Sequence, residues 1–147
     1  MQLRTELEKL ISYTEDRDTV TGEDVRAVVT RSVAYTVFLL VDAVVAGQEA
    51  QAFGLLRDML TSGEERIGIL AMLLRQYRIL QHIKIMQYEK RSQQEMQQLL
   101  GIPGFVLDRN LRQARSLTGG QVKQAVDICL QTEYRIKSGA LNQDGAV

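Results

Sequence analysis

Residues 65–90 read ERIGILAMLLRQYRILQHIKIMQYEK. Ile69, Leu70, Leu73, Leu74, Tyr77, Leu80 and Ile83 recur within it at helical spacing, which predicts one long helix from about Glu65 to Lys90. Its apolar arc is wide in the first half. A wide arc needs several neighbours, so this stretch is expected to be the central helix of a bundle.

Working toward the N-terminus, Ala52, Leu55, Leu56, Met59 and Leu60 form one stripe of a helix over about 48–61, closed by Gly63. A further helix is expected from about Ala34 to Ala46, with Gly47 as its stop. Upstream of it, Thr21 and Asp24 have capping-box spacing, and Val20 is placed to staple onto Val25. That start predicts a separate short helix to about Thr30. Leu3, Leu7, Leu10 and Ile11 share one helical face, and the polar stretch 14–20 reads as a loop.

Toward the C-terminus, Ser92 and Glu95 have capping-box spacing ahead of a short helix to Leu100. Gly101-Ile102-Pro103-Gly104 is a turn, and Pro103 belongs at or just before the next helix start. That helix is expected to reach about Leu117, with Val106, Leu107, Leu111 and Ala114 inward. Gly119-Gly120 breaks it. The last helix carries Val122, Ala125, Val126, Cys129, Leu130 and Ile136 on one face and ends near Gly139.

Eight helical segments with short links define an all-α helical bundle. Aliphatic side chains must fill it, because aromatics make up 5% of the chain and tryptophan is absent. The first thirty or so residues bury too little surface to stand alone. The expected division is 1–32 as the end of an upstream domain, 33–140 as the bundle and 141–147 as a tail.

The net charge of zero hides an asymmetry: residues 1–65 sum to −6 and residues 66–137 to +7. Oppositely charged halves suit faces that meet different neighbours better than nucleic-acid binding by the whole chain, although ordinary solvated helix surfaces give the same pattern. One cysteine, Cys129, excludes a disulfide frame and a cysteine zinc site, and a reducing, cytoplasmic setting is the default. The apolar run Val33–Ala46 contains Asp42 and is too short to cross a membrane.

Catalytic signatures are missing. No P-loop or dinucleotide fingerprint is present, since Gly119-Gly120 is followed by Gln121 rather than lysine. His82 is the sole histidine and has no cysteine or carboxylate at ligand spacing. Cys129 sits on an apolar face, where a free thiol packs as a small hydrophobe. Glu64-Glu65 lies at a helix start, where acids favour the dipole. His82 and the Glu64-Glu65 pair are the only support for a small helical enzyme. Neither a catalytic residue, a metal ligand nor a cofactor site is expected.

One segment invites a binding reading. Residues 92–117 form a capped helix, a glycine turn and a second helix carrying Arg109, Arg112 and Arg115. That arrangement resembles a helix-turn-helix, whose arginines would touch phosphates or bases. It equally describes any two helices joined by a tight turn. The three arginines are therefore candidates for DNA or partner contact, and a small DNA-binding regulator using 92–117 is the alternative reading of the chain.

Five elements in order resemble the delta subunit of bacterial DNA polymerase III. They are Val20-Thr21-Gly22-Glu23-Asp24-Val25; then Phe38, Leu40, Asp42, Ala43 and Gly47; then Leu73, Arg75, Gln76, Arg78 and Leu80; then Leu100, Gly101, Ile102, Val106, Gln113, Ala114 and Arg115; and finally Ile136, Lys137 and Gly139. The resemblance covers almost the whole chain. It implies a part of a clamp loader related to AAA+ ATPases, with a nucleotide-binding-like domain, a small lid and a helical collar.

On that resemblance, residues 1–32 are the two-helix remnant of the lid and 33–140 the collar, which holds the loader's subunits in a ring. The chain would lack the first domain and most of the lid, and stop before a final apolar helical stretch. Its partners would be other clamp-loader subunits, with the sliding clamp reached only through the missing N-terminal domain. DNA contact would be indirect or weak, and no membrane is involved. The whole subunit would belong to a DNA-directed DNA polymerase holoenzyme, while this part would be no enzyme.

Overall fold

A computed structural model describes residues 22–139, and within them every regular element is a helix. These are α1 (Gly22–Val45), α2 (Glu49–Thr61), α3 (Arg66–Tyr88), α4 (Gln93–Leu100), α5 (Gly104–Arg115) and α6 (Gly119–Lys137). The all-α bundle expected from periodicity is the fold observed. The expected helix over 3–13, the loop 14–20, the Thr21 cap with its Val20 staple and the tail 141–147 lie outside the described residues.

One expected break does not occur. Helices anticipated over 21–30 and 34–46 are a single 24-residue helix, α1. The polar trio Thr30-Arg31-Ser32 interrupts the apolar stripe, but a stripe governs packing. The hydrogen-bond ladder itself is stopped by proline or glycine, and none occurs between Gly22 and Gly47. The boundary expected at 32/33 thus falls inside one continuous helix.

Helix ends follow the anticipated chemistry with three departures. α1 and α2 close in Schellman turns with left-handed Gly47 (φ 71°) and Gly63 (φ 94°), in which Gln48 N–H donates to Ala43 O and Glu64 N–H to Met59 O. α3 closes in the same turn, with Arg91 N–H on Met86 O at 2.9 Å, but places Lys90 at the left-handed position (φ 58°). Ser92 caps α4 by accepting from Glu95 N–H at 3.2 Å. The reciprocal half of that expected box is replaced, because the Glu95 carboxylate faces Arg91 at 3.8 Å instead. A complete capping box stands where glycines suggested only a break: Thr118 Oγ1 accepts from Gln121 N–H, and Gln121 Oε1 accepts from Thr118 N–H. The sequence Thr118-Gly119-Gly120-Gln121 carries that signal, with the glycines opening α6 rather than merely ending α5.

The core has three parts, and α3 contributes to all of them. Leu80, Ile83 and Met86 pack with Val41, Met96, Leu107, Leu111, Ala114 and Val122, uniting five helices. Ile69 joins Val37, Leu40 and Met59 between α1, α2 and α3. Leu70 and Leu74 join Val126 and Cys129 beneath α6. α3 is therefore the central helix that its wide apolar arc predicts. α2 packs chiefly on α1, with Met59 reaching Ile69 of α3. Leu130, expected on the inner face of α6, is exposed, since at 100° per residue it stands about 80° around the helix from Val122.

Candidate functional site

α1, α3 and α5 meet along a seam where polar groups replace apolar ones. Gln76 of α3 and Asn110 and Gln113 of α5 are buried there. The Gln76 amide donates both its hydrogens, to Asn110 Oδ1 at 2.7 Å and to Gln113 Oε1 at 2.8 Å. Gln113 in turn donates to Asp42 Oδ1 at 2.7 Å and to the Phe38 carbonyl at 3.2 Å. Asn110 Nδ2 closes the chain on Val106 O at 2.9 Å. Among the described residues no buried side-chain polar atom is left unpaired. A fully satisfied network of this kind fixes the register of three helices, because sliding any one of them orphans several donors at once.

The outer wall of the seam is aromatic. Tyr35 and Phe38, one turn apart on α1, lie nearly parallel with ring centroids 6.5 Å apart. Arg109 of α5 lays its guanidinium across them, 5.2 Å from the Tyr35 ring, 5.5 Å from Phe38 and 5.8 Å from Phe105. Cation–π attraction holds the guanidinium in that position, yet Tyr35 is 46% and Phe105 67% exposed. Two hollows share this wall. One of about 570 Å³ runs between α1 and α5 past Asp42, Arg109 and Arg112. The other, of about 510 Å³, is floored by Val37, Met72, Ile79, Ile102 and Val106 and edged by Arg75 and Arg109.

The three arginines singled out in the sequence thus part company. Arg109 and Arg112 line the same hollow, whereas Arg115 lies outside both, about 120° around α5 from Arg109. Arg112 is exposed, with its Nε 3.4 Å from Asp108 O. Tyr35, Phe38, Phe105 and Asn110 escaped the sequence reading as site residues. A signal for Asn110 exists, since it and Gln113 are polar residues on the inward stripe of Leu107, Leu111 and Ala114. The ring cage has no comparable signal, because α1 and α5 are joined only by tertiary packing.

Elsewhere the chemistry is spare. His82 is exposed on α3. No group of three His, Cys, Asp or Glu residues fit to hold a metal occurs among the described residues, nor is any of their helices long and apolar enough to cross a membrane. Between α3 and α6, burial raises the pKa of Tyr77, with a smaller push from nearby Cys129, and burial alone raises that of the Cys129 thiol. A thiol so held is a packing group rather than a nucleophile.

The chain as a whole is similar to known proteins. The family model for the DNA polymerase III delta subunit, C-terminal domain, matches residues 34–147. DNA polymerase III subunit delta of Bacillus subtilis (strain 168) is 25% identical over 134 residues, which cover 91% of this chain and 39% of that protein. The solved structure of the Bacillus subtilis DNA clamp loader delta protein superposes with a TM-score of 0.75 at 23% identity, over 97% of this chain and 42% of its own. At that identity the likeness establishes the fold. The chain spans about two fifths of the length of these relatives.

Proposed function

This chain belongs to the family formed by the C-terminal domains of DNA polymerase III delta subunits, and from that premise we propose that it is a non-catalytic collar that holds clamp-loader subunits together in a ring. The match across residues 34–147 carries the reading. In the same proposal, residues 1–32 are the end of a lid and 33–140 the collar, with α1 running through both. The sliding clamp would be opened through a domain upstream of this chain during loading onto DNA, in the cytoplasm, with DNA contact by the collar indirect.

The charge pattern supports a ring contact. Residues 22–65, which make α1 and α2, sum to −4, while residues 66–137, which make α3 to α6, sum to +7. α2, which carries Glu49 and Asp58, packs chiefly on α1. A head-to-tail ring asks each protomer to show different surfaces to its two neighbours.

Mixing the chain with intact partner subunits of a clamp loader, and following mass by light scattering, tests the assignment. A complex of defined stoichiometry that weakens with salt is expected. No association at tens of micromolar, a concentration at which even weak specific contacts register, would sink it.

A further inference from the structure

We infer that the trough between α1, α3 and α5 is a docking site for an acidic peptide segment of a partner, one that inserts an apolar side chain and sets carboxylates against Arg75, Arg109 and Arg112. This goes beyond ring assembly and does not depend on it.

Three observations converge. First, the two hollows share Tyr35, Phe38 and Arg109 as a common wall, so they lie side by side along the seam and one extended segment can reach both. Secondly, its floor is apolar, with Val37, Met72, Ile79, Ile102 and Val106 facing a volume of about 510 Å³, enough for a leucine or phenylalanine side chain. Thirdly, its edge is basic. Arg75, Arg109 and Arg112 border the trough, and among the described residues none of them is in an ion pair. The one acid in the lining, Asp42, already accepts from Gln113 at 2.7 Å.

Arg109 is the anchor of this design. Its guanidinium lies over three rings, which spreads its face on apolar carbon and leaves its edge N–H donors for a carboxylate fork. The rings also hold it in one place, so little side-chain entropy is lost on binding. The apolar floor favours a peptide over single-stranded nucleic acid. A nucleobase needs flat ring faces to stack on, whereas Arg109 takes up one side of the rings at the wall and the floor beyond them is aliphatic, formed by Val37, Met72, Ile79, Ile102 and Val106.

The test uses the 147-residue chain and a short fluorescein-labelled peptide of glutamates flanking one Leu-Phe pair, read by anisotropy. Saturable binding is expected. It should fall by about tenfold or more with Arg109→Glu or Arg112→Glu, the loss of a charge-assisted contact. The two variants back each other up, because Arg112 takes no part in the ring stack, and circular dichroism checks that each is folded. Arg115→Glu, the same charge change outside the trough, should leave affinity nearly unchanged. Replacing Leu-Phe by Ser-Ser in the peptide should also abolish binding. An equal loss with Arg115→Glu, or undiminished binding of the Ser-Ser peptide, would mean diffuse charge attraction and overturn the site. Binding of labelled oligo-dT in place of the peptide would reassign the trough to nucleic acid. No binding of either would end the proposal while leaving ring assembly untouched.

Discussion

Gln76 shows how much a single polar side chain governs here. It sits 9% exposed on the central helix and donates to two other buried amides. Gln76→Leu keeps the volume but leaves Asn110 Oδ1 and Gln113 Oε1 without a donor. Stranding two buried acceptors costs about 2–4 kcal/mol, so a clear drop in the urea midpoint at unchanged slope is expected. A shift under about 0.5 kcal/mol, the size of a neutral surface change, would mean that water replaces the network. Tyr77 and Cys129 make a second residue-scale prediction. Both hold their protons more tightly when folded than at their ordinary values of 10.0 and 9.0. Their contribution is fully present below those ordinary values. Above them the unfolded chain loses protons first, so stability falls as pH rises toward the folded-state values. Urea midpoints from about pH 8 to about pH 10.5 should decline, and Tyr77→Phe should flatten the upper part of that decline.

At the scale of elements, the helix ends carry a correctable flaw. α1 and α2 place glycine at the left-handed position of their Schellman turns, and α3 places Lys90 there. An L-residue with a Cβ pays about 1 kcal/mol or more for that conformation, while glycine does not. Part of the gain from glycine is returned as extra freedom in the unfolded chain. Lys90→Gly should therefore raise stability by about 0.5–1 kcal/mol in thermal or urea unfolding, and a loss of stability would show that the lysine side chain contributes more than its backbone costs. These ends also show what local sequence specifies. Gly47, Gly63 and the Ser92 cap were legible because a cap depends on residues within one turn. Lys90 was legible only as the place where the apolar period runs out.

For the molecule as a whole, α3 is the common wall of all three core clusters. Leu80 has no exposed surface and sits in the cluster that joins five helices. Leu80→Ala should cost about 2–5 kcal/mol, the transfer term plus the cavity left behind. Because the helices share that wall, far-UV circular dichroism and the thiol reactivity of Cys129 should report the same lowered midpoint. Distinct midpoints would show that α6 opens separately from the rest. Asp42, Gln76 and Gln113 come from three of the elements that carried the sequence resemblance, lie far apart along the chain, and join in one hydrogen-bonded chain.

By itself the sequence determined the helices, their order, the role of α3 as the centre and the family, since periodicity, caps and ordered motifs are all written along the chain. It misjudged α1, where a polar trio mimicked a break that the hydrogen-bond ladder does not feel. Only the tertiary structure decided which arginines belong together. Arg109 and Arg112 face the trough and Arg115 does not, although all three share one helix, because what an arginine does is set by the rings and carboxylates that other helices bring within a few ångströms of it. The same holds for Arg75, which entered the sequence reading only as one residue of a motif and emerges beside Arg109 on the edge of an apolar hollow.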